Sequence, residues 1–271
     1  MLREHRWQKI EQELGRQPFL EIRDLAKLLE VSDATVRRDL EQLDKYGRLK
    51  RTRGGATISS NGSAPESDET LDKSTLTMEL EHVATFSQRA NMHAAAKEKI
   101  GRAVNELVQD RQNLLIAGGS TPYAAAKYLR HRRISVATNS LPTAALLGET
   151  LGVDVLVTGG MVYPKHDILI GPQLKQTLQS VRAADWLLLG CSGADAEGFY
   201  DSNHLEVEAQ KELMARANHV VLLIDSSKFA RRDMILVAPW NEIDVLVTEA
   251  QPPRELAAAL KKAKVKVIVG E

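Results

Sequence analysis

Cysteine is almost missing from this chain. Its one thiol, Cys191, cannot close an intramolecular disulfide and suits a reducing compartment. Aromatic residues make up 4% of the sequence, too few for a platform that stacks single-stranded bases. The seven histidines are scattered without a close pair at metal-ligand spacing, so neither a metal site nor a cofactor is expected. Long apolar runs are lacking too. No stretch reaches the length of a membrane-spanning helix, and the opening MLREHRWQKI is charged and periodic with no apolar signal-peptide core. Net charge is zero, with 36 Lys and Arg against 36 Asp and Glu. These lacks exclude a disulfide scaffold, a membrane protein and a single-strand binder, and they predict a cytoplasmic protein with no membrane partner. The 271 residues, 43% of them apolar, suffice for two domains with real cores. If such a neutral chain binds nucleic acid, its positive charge must be concentrated locally.

That concentration is found at 31–56, VSDATVRRDLEQLDKYGRLKRTRGGA. Ser32 and Asp33 stand where a helix begins, and a serine side chain there accepts hydrogen bonds from the first free backbone N–H groups. Val36, Leu40 and Leu43 recur at i, i+4 and i+7, forming one apolar stripe. The opposite face carries Ala34, Arg38, Glu41 and Lys45, flanked by Thr35 and Arg37. Such a helix suits a major groove, where arginine bonds a guanine edge bidentately and serine or threonine reaches bases or phosphates. Lys45, Arg48, Lys50, Arg51 and Arg53 then follow with no acid among them, and Gly54–Gly55 permits a tight turn. This reads as a basic hairpin for phosphate contact. An ordinary surface helix with a solvated basic loop would look similar in isolation. The preceding residues decide against it. Ile22, Leu25, Ala26, Leu28 and Leu29 form a short amphipathic helix separated from the next by only Glu30–Val31–Ser32. Trp7, Ile10 and Leu14 mark an earlier helix, closed by Gly15 and Pro18. Two short helices joined by a tight turn, the second one basic, form the helix-turn-helix pattern.

The run LAKLLEVSDATVRRDLEQLDKYGRLKRTRGGA closely resembles the N-terminal signature of the DeoR family of bacterial transcriptional regulators. It departs at Arg53, where many members carry histidine, which leaves the hairpin basic. We assign 1–58 to a winged helix-turn-helix domain. The polar stretch 59–85, rich in Ser, Gly, Asp and Glu, reads as a linker, and 86–271 as a second domain. Within the segment 86–108, Phe86, Arg89, Lys97 and Ile100 fall where family members carry the same kinds of residue. By its own chemistry that segment reads as a solvated, alanine-rich helix.

From residue 113 apolar runs recur at 113–117, 134–137, 153–157, 186–189, 220–224, 243–247 and 265–269, with helical segments between most of them. Continuous apolar strands joined by helices predict an α/β domain with a mainly parallel sheet covered on both faces. Ligands bind outside the carboxyl ends of such strands. Small and hydroxylated residues follow the first five runs: Gly118, Gly119, Ser120 and Thr121; Thr138, Asn139 and Ser140; Thr158, Gly159 and Gly160; Gly190, Cys191 and Ser192; and Asp225, Ser226, Ser227 and Lys228. Close backbone approach, hydroxyls, a helix N-terminus and the Lys228 charge together predict a phosphate cradle.

Over this half too the chain resembles the DeoR family, in TNS, TGG, IGP at 170–172, Asp185, Glu206 within DSNHLEVEAQK, and DSSKF. The resemblance implies a fold akin to sugar-phosphate isomerases, glucosamine-phosphate deaminases and CoA-transferases, and a phosphorylated sugar or related metabolite as effector. Where members commonly show an acid followed by GTTT, this chain has AGGSTP, so contacts to the sugar portion differ. An isomerase- or deaminase-like enzyme is the alternative, with Asp195, Glu206 and Asp225 as available carboxylates. A DNA-binding module argues against it. His166–Asp167 is expected to meet water, and Cys191 to be a small residue in a tight turn. The reading is therefore a regulator, most simply a repressor of a carbohydrate-catabolic operon, whose partners are duplex operator DNA, a phosphorylated sugar and further copies of itself.

Overall fold

The computed structural model describes residues 3–14, 19–45, 49–51, 54–57, 84–181 and 183–271. Most of the 59–85 stretch, together with Arg48 and Arg53, lies outside the described residues, as do the side chains of Lys45, Lys50 and Arg51. The chain divides into two compact units, 1–70 and 71–271.

The first unit is built from α1 (Arg3–Leu14), β1 (Phe19–Glu21), α2 (Ile22–Leu29), α3 (Asp33–Lys45), β2 (Lys50–Arg51) and β3 (Gly55–Thr57). The 3.6-residue spacing sends Ile10 and Leu14 of α1, Leu25 and Leu29 of α2, and Val36, Leu40 and Leu43 of α3 into one core. Leu28, on the same helix, remains exposed at 39%. The tight turn after α2 is made by Glu30, whose φ of 54° places it in the left-handed region, and its N–H bonds back to the helix carbonyls. Strands pair antiparallel in the order β1-β3-β2, so the expected hairpin is a three-stranded wing. Gly55 is required there, because a Cβ would lie 1.9 Å from the Leu20 carbonyl oxygen.

The second unit opens on a capping box: the Gln88 side chain accepts the Thr85 N–H, and the Thr85 hydroxyl accepts the Gln88 N–H. Its helices are α4 (Phe86–Asn91), α5 (Ala94–Leu107), α6 (Ser120–Leu129), α7 (Leu141–Gly148), α8 (Pro172–Leu178), α9 (His204–Met214) and α10 (Arg254–Ala263). The main sheet contains β4 (Asn113–Ile116), β5 (Ile134–Thr138), β6 (Val153–Val157), β9 (Ala184–Leu189), β12 (Ala217–Leu223), β14 (Val245–Thr248) and β15 (Lys266–Val269). These are the seven apolar runs read from the sequence. All pair parallel, in the order β15-β14-β12-β9-β4-β5-β6. Leu115, Leu187, Leu189 and Leu222 face one core with α8, α9 and α10. Leu114, Ile116, Leu188, Val221 and Leu223 face the other with α5, α6 and α7. Alternate residues of the central strands thus bury on opposite sides, which explains why those runs are continuous.

Two smaller pieces were not foreseen. They are a hairpin of β7 (Met161–Tyr163) with β8 (Ile168–Ile170), and an antiparallel sheet of β10 (Gly193–Ala194), β11 (Gly198–Asp201) and β13 (Ile235–Pro239). The chain leaves β4 outward through β5 and β6, then returns to β4's other side at β9. This reversal opens a crevice at the carboxyl ends of β4 and β9.

In the first unit, buried Asp39 ties α3 to α1. It accepts from Arg6 Nε at 2.6 Å, Arg6 Nη2 at 3.1 Å and Trp7 Nε1 at 3.1 Å. Asp39→Ala removes the bidentate carboxylate partner of a guanidinium that is 13% exposed. It is expected to cost the unit about 3 kcal/mol, read as a lower first transition in chemical denaturation followed by circular dichroism. A loss below about 0.5 kcal/mol would show the pair to be solvated.

Candidate effector site and DNA-reading face

On α3 the residues expected to meet DNA are presented outward. Ser32, Asp33, Arg37 and Arg38 are exposed and Thr35 is half-buried. Ser32 Oγ accepts the Thr35 N–H at 3.3 Å, which closes the first turn as a helix cap does. Asp39 of the double-arginine signature points the other way, into the core, and holds the helix rather than contacting a base.

The crevice of the second unit is a cavity. Gly118, Gly119, Ser120 and Thr121 line it from the end of β4 and the first turn of α6, and Gly190 and Ser192 line it from the end of β9. The N–H groups of Ser120 and Thr121, in the first turn, have no intrahelical acceptor, and the positive end of the helix points there. Gly119 has a φ of 142°, which a side chain rarely adopts. Gly118 lies against Ile168, whose Cγ2 would be 2.1 Å from any Cβ added there. Lys228 joins from a 3-10 turn, Ser226–Lys228.

Other expected residues support this loop from outside the lining. Asn139 Oδ1 accepts the Gly118 N–H at 2.8 Å, and Asn139 Nδ2 donates to the Leu169 carbonyl at 3.1 Å. Thr138 Oγ1 donates to the Ile116 carbonyl at 2.6 Å, and Ser140 caps α7. Asp225 caps the turn that carries Lys228. Gly159 and Gly160 lead into β7, and Gly160 packs on the Ile170 carbonyl. Asp185 receives the Asn113 N–H at the opposite end of the strands.

Several lining residues were misjudged or missed. The segment 86–108 is not a solvated helix: Lys97 is 4% exposed and its Nζ donates to the Met92 carbonyl at 2.6 Å and to the Arg89 carbonyl. Lys97 and Arg89 both line the cavity. The signal was available, since Lys97 sits three residues before Ile100 and seven before Val104, on the stripe that buries. His166 does not face water but is 7% exposed and forms an ion-pair contact through Nδ1 with Glu206. Gln210 follows Glu206 by one turn on the buried stripe of α9, with Val207 and Leu213. Asp201, ending β11, accepts from Gln210 Nε2 at 2.9 Å and the Ser202 N–H at 2.9 Å. No pattern in the sequence marks Asp201 as buried, because its cross-strand partner is Ile235 of β13, far along the chain.

Charge follows burial in this cavity. Desolvation, then the neighbouring Glu206, pushes the Asp201 carboxyl up to about 6. Burial, then Asp201, raises the Cys191 thiol while Lys228 pulls it down, so Cys191 stays neutral and unreactive between opposite charges. An acid whose folded value lies above its unfolded one loses stability as pH rises between the two. For Asp201 that window runs from about 4 to about 6. Asp201→Asn is therefore expected to stabilise the unliganded protein by on the order of 2 kcal/mol at pH 7.5 and by little at pH 4.5. Melting curves of both proteins at the two pH values check this, and an equal difference at both would remove the electrostatic cause.

Comparison with known proteins adds identity to this geometry. Residues 6–61 match the DeoR-like helix-turn-helix domain, and residues 92–250 match the DeoR C terminal sensor domain. The chain is 30% identical over 98% of its length to a protein of Escherichia coli O157:H7 named as an aga operon transcriptional repressor, covering 94% of that protein. It is 28% identical over 91% of its length to the HTH-type transcriptional repressor GlcR of Bacillus subtilis (strain 168), covering 88% of it. Over 94% of both chains it is 25% identical to the HTH-type transcriptional regulator UlaR of Escherichia coli O1:K1 / APEC. Among solved structures, ribose 5 phosphate isomerase A from Neisseria gonorrhoeae superposes with a TM-score of 0.36 over 50% of this chain and 53% of that one, at 16% identity. With a reading head and a sensor that both match, this chain belongs to the DeoR family of transcriptional regulators.

Proposed function

We propose that the protein represses a carbohydrate-catabolic operon by binding operator DNA through α3 and the wing, and that a phosphorylated sugar in the cavity releases it. The observation that carries this reading is the cavity itself. Its glycine loop and helix N-terminus sit with Arg89, Lys97 and Lys228, an arrangement suited to a phosphate. The protein works in the cytoplasm, where operator DNA and phosphorylated metabolites meet. It acts as a homo-oligomer, at least a dimer, since one module per chain reads only a half-site.

An isomerase-like activity is disfavoured by the same residues. Glu206 is engaged by His166, Asp225 receives the Ser227 hydroxyl and amide, and Asp195 is held by Arg232 and Tyr200 away from the cavity lining. The two carboxylates that do line the cavity, Asp201 and Glu206, are held by Gln210 and by His166.

Arg38→Ala is expected to weaken operator binding more than random-duplex binding, by about 1–3 kcal/mol of discrimination. Fluorescence anisotropy on both duplexes measures it, with static light scattering of the same samples reading a dimer or larger. Equal losses would make Arg38 a phosphate clamp, and a tight-binding monomer would remove the oligomer.

For the sensor, Lys228→Ala should lower effector affinity tenfold or more, since a charge-assisted bond is worth roughly 1.5–3 kcal/mol. Gly119→Val should act similarly through backbone strain. Both variants should hold operator DNA as the wild type does in the absence of effector. Release at wild-type effector concentrations would place the phosphate elsewhere.

A further inference from the structure

Resting on the reading of the cavity as a sugar-phosphate site, its remaining groups define what the rest of the ligand must offer. Asp201, 7% exposed, receives only uncharged donors among the described residues: the Ser202 N–H and Gln210 Nε2. The charges that act on it most, Glu206 and Asp233, are both negative. Gln210 is 6% exposed, and because its Nε2 is committed to Asp201, its Oε1 is left as a buried acceptor without a partner. Both residues line the cavity with Glu206. An ionised carboxylate buried without a cation is costly, and so is an amide oxygen buried without a donor. A sugar hydroxyl brings one donor and no charge. A protonated amine brings three donors and the missing positive charge.

We propose that the effector is an amino-sugar phosphate, whose protonated amine is received by Asp201 and the Gln210 Oε1 while its phosphate lies on the glycine loop. The ligand is then zwitterionic, matching a cavity that carries Arg89, Lys97 and Lys228 as well as Asp201 and Glu206. Discrimination against the parent sugar phosphate arises because its uncharged hydroxyl leaves the Asp201 charge uncompensated.

The test is isothermal titration of the full chain at pH 7.5 with two matched pairs: glucosamine 6-phosphate against glucose 6-phosphate, and galactosamine 6-phosphate against galactose 6-phosphate. In at least one pair the amine should bind ten- to a hundredfold tighter. Asp201→Asn should reduce that advantage below threefold. Gln210→Met, which leaves the carboxylate in place, should reduce it about threefold and serves if Asp201→Asn does not fold. Equal or tighter binding of the parent sugars in both pairs overturns the inference and leaves the sugar-phosphate reading standing. An amine preference that survives both substitutions overturns the assignment to these residues. Binding by none of the four overturns the inference too. Inorganic phosphate then separates the cases: protection against thermal unfolding keeps the phosphate cradle, and its absence removes that reading as well.

Discussion

All seven strands of the main sheet run in one direction, and the rest of the sensor unit follows from that constraint. Parallel strands cannot be joined by tight turns, so each return requires a crossover, here mostly a helix, and the helices that follow strands begin at the carboxyl rim. Every such helix therefore brings its positive end to the same side of the sheet. The reversal of chain order between β4 and β9 then leaves that rim open at one place only along the sheet. At this opening neighbouring side chains leave little room at Gly118 and Gly190: an added Cβ would come 2.1 Å from Ile168 Cγ2 at the first and 3.2 Å from Pro122 Cδ at the second. Asn139, one strand over, holds the loop in place through the Gly118 amide. The proposed anion cradle is thus a consequence of topology, and a few small residues keep it from being filled.

Burial of charge separates the two units. In the reading head, Arg6 and Asp39 close on one another with Trp7 as a third member, and their role ends with holding α1 to α3. In the sensor, Lys97, Asp201, Glu206 and His166 are all less than a tenth exposed and all border a cavity. Replacing such groups with apolar ones would generally strengthen a fold. Lys97 recovers part of its cost through two backbone carbonyls, whereas Asp201 meets no cation among the described residues. On the proposed reading, stability is given up at the place where the ligand enters, a common compromise between stability and function.

Much of this was written in the sequence wherever one periodicity decided it. The strands were legible because those at the centre of the sheet, covered on both faces, run almost continuously apolar, and α2 and α3 because Leu25, Leu29, Val36, Leu40 and Leu43 keep strict helical spacing. The glycine loop and Lys228 were legible as chemistry on short loops. The β7–β8 hairpin and the β10-β11-β13 sheet were not, since strands of two to five residues show no period and β11 pairs with β13 some 35 positions away. His166 and Asp201 were hidden for the same reason: their burial is decided by partners far along the chain. Lys97 and Gln210 were legible in principle, as polar residues on apolar stripes, and were lost to the habit of assigning polar residues to water.

Magnitudes constrain how such a cavity could control DNA binding. Moving a two-state equilibrium from 1:99 to 99:1 requires about 5.5 kcal/mol of differential affinity. One charge-assisted contact supplies roughly 1.5–3 kcal/mol, so a phosphate cradle that differed between states by a single bond could not do it. At least two contacts made by different elements have to change together. The cavity has them: the glycine loop belongs to the main sheet and α6, while Asp201 and Gln210 belong to β11 and α9. A ligand that reaches both fixes the small sheet and α9 relative to the rim of the large one, and a ligand that reaches only the cradle does not. By linkage the same factor must weaken effector binding when DNA is held. On this proposal the second contact sets both the selectivity for the ligand and the strength of the switch, which is a reason for a regulator to retain a buried carboxylate there.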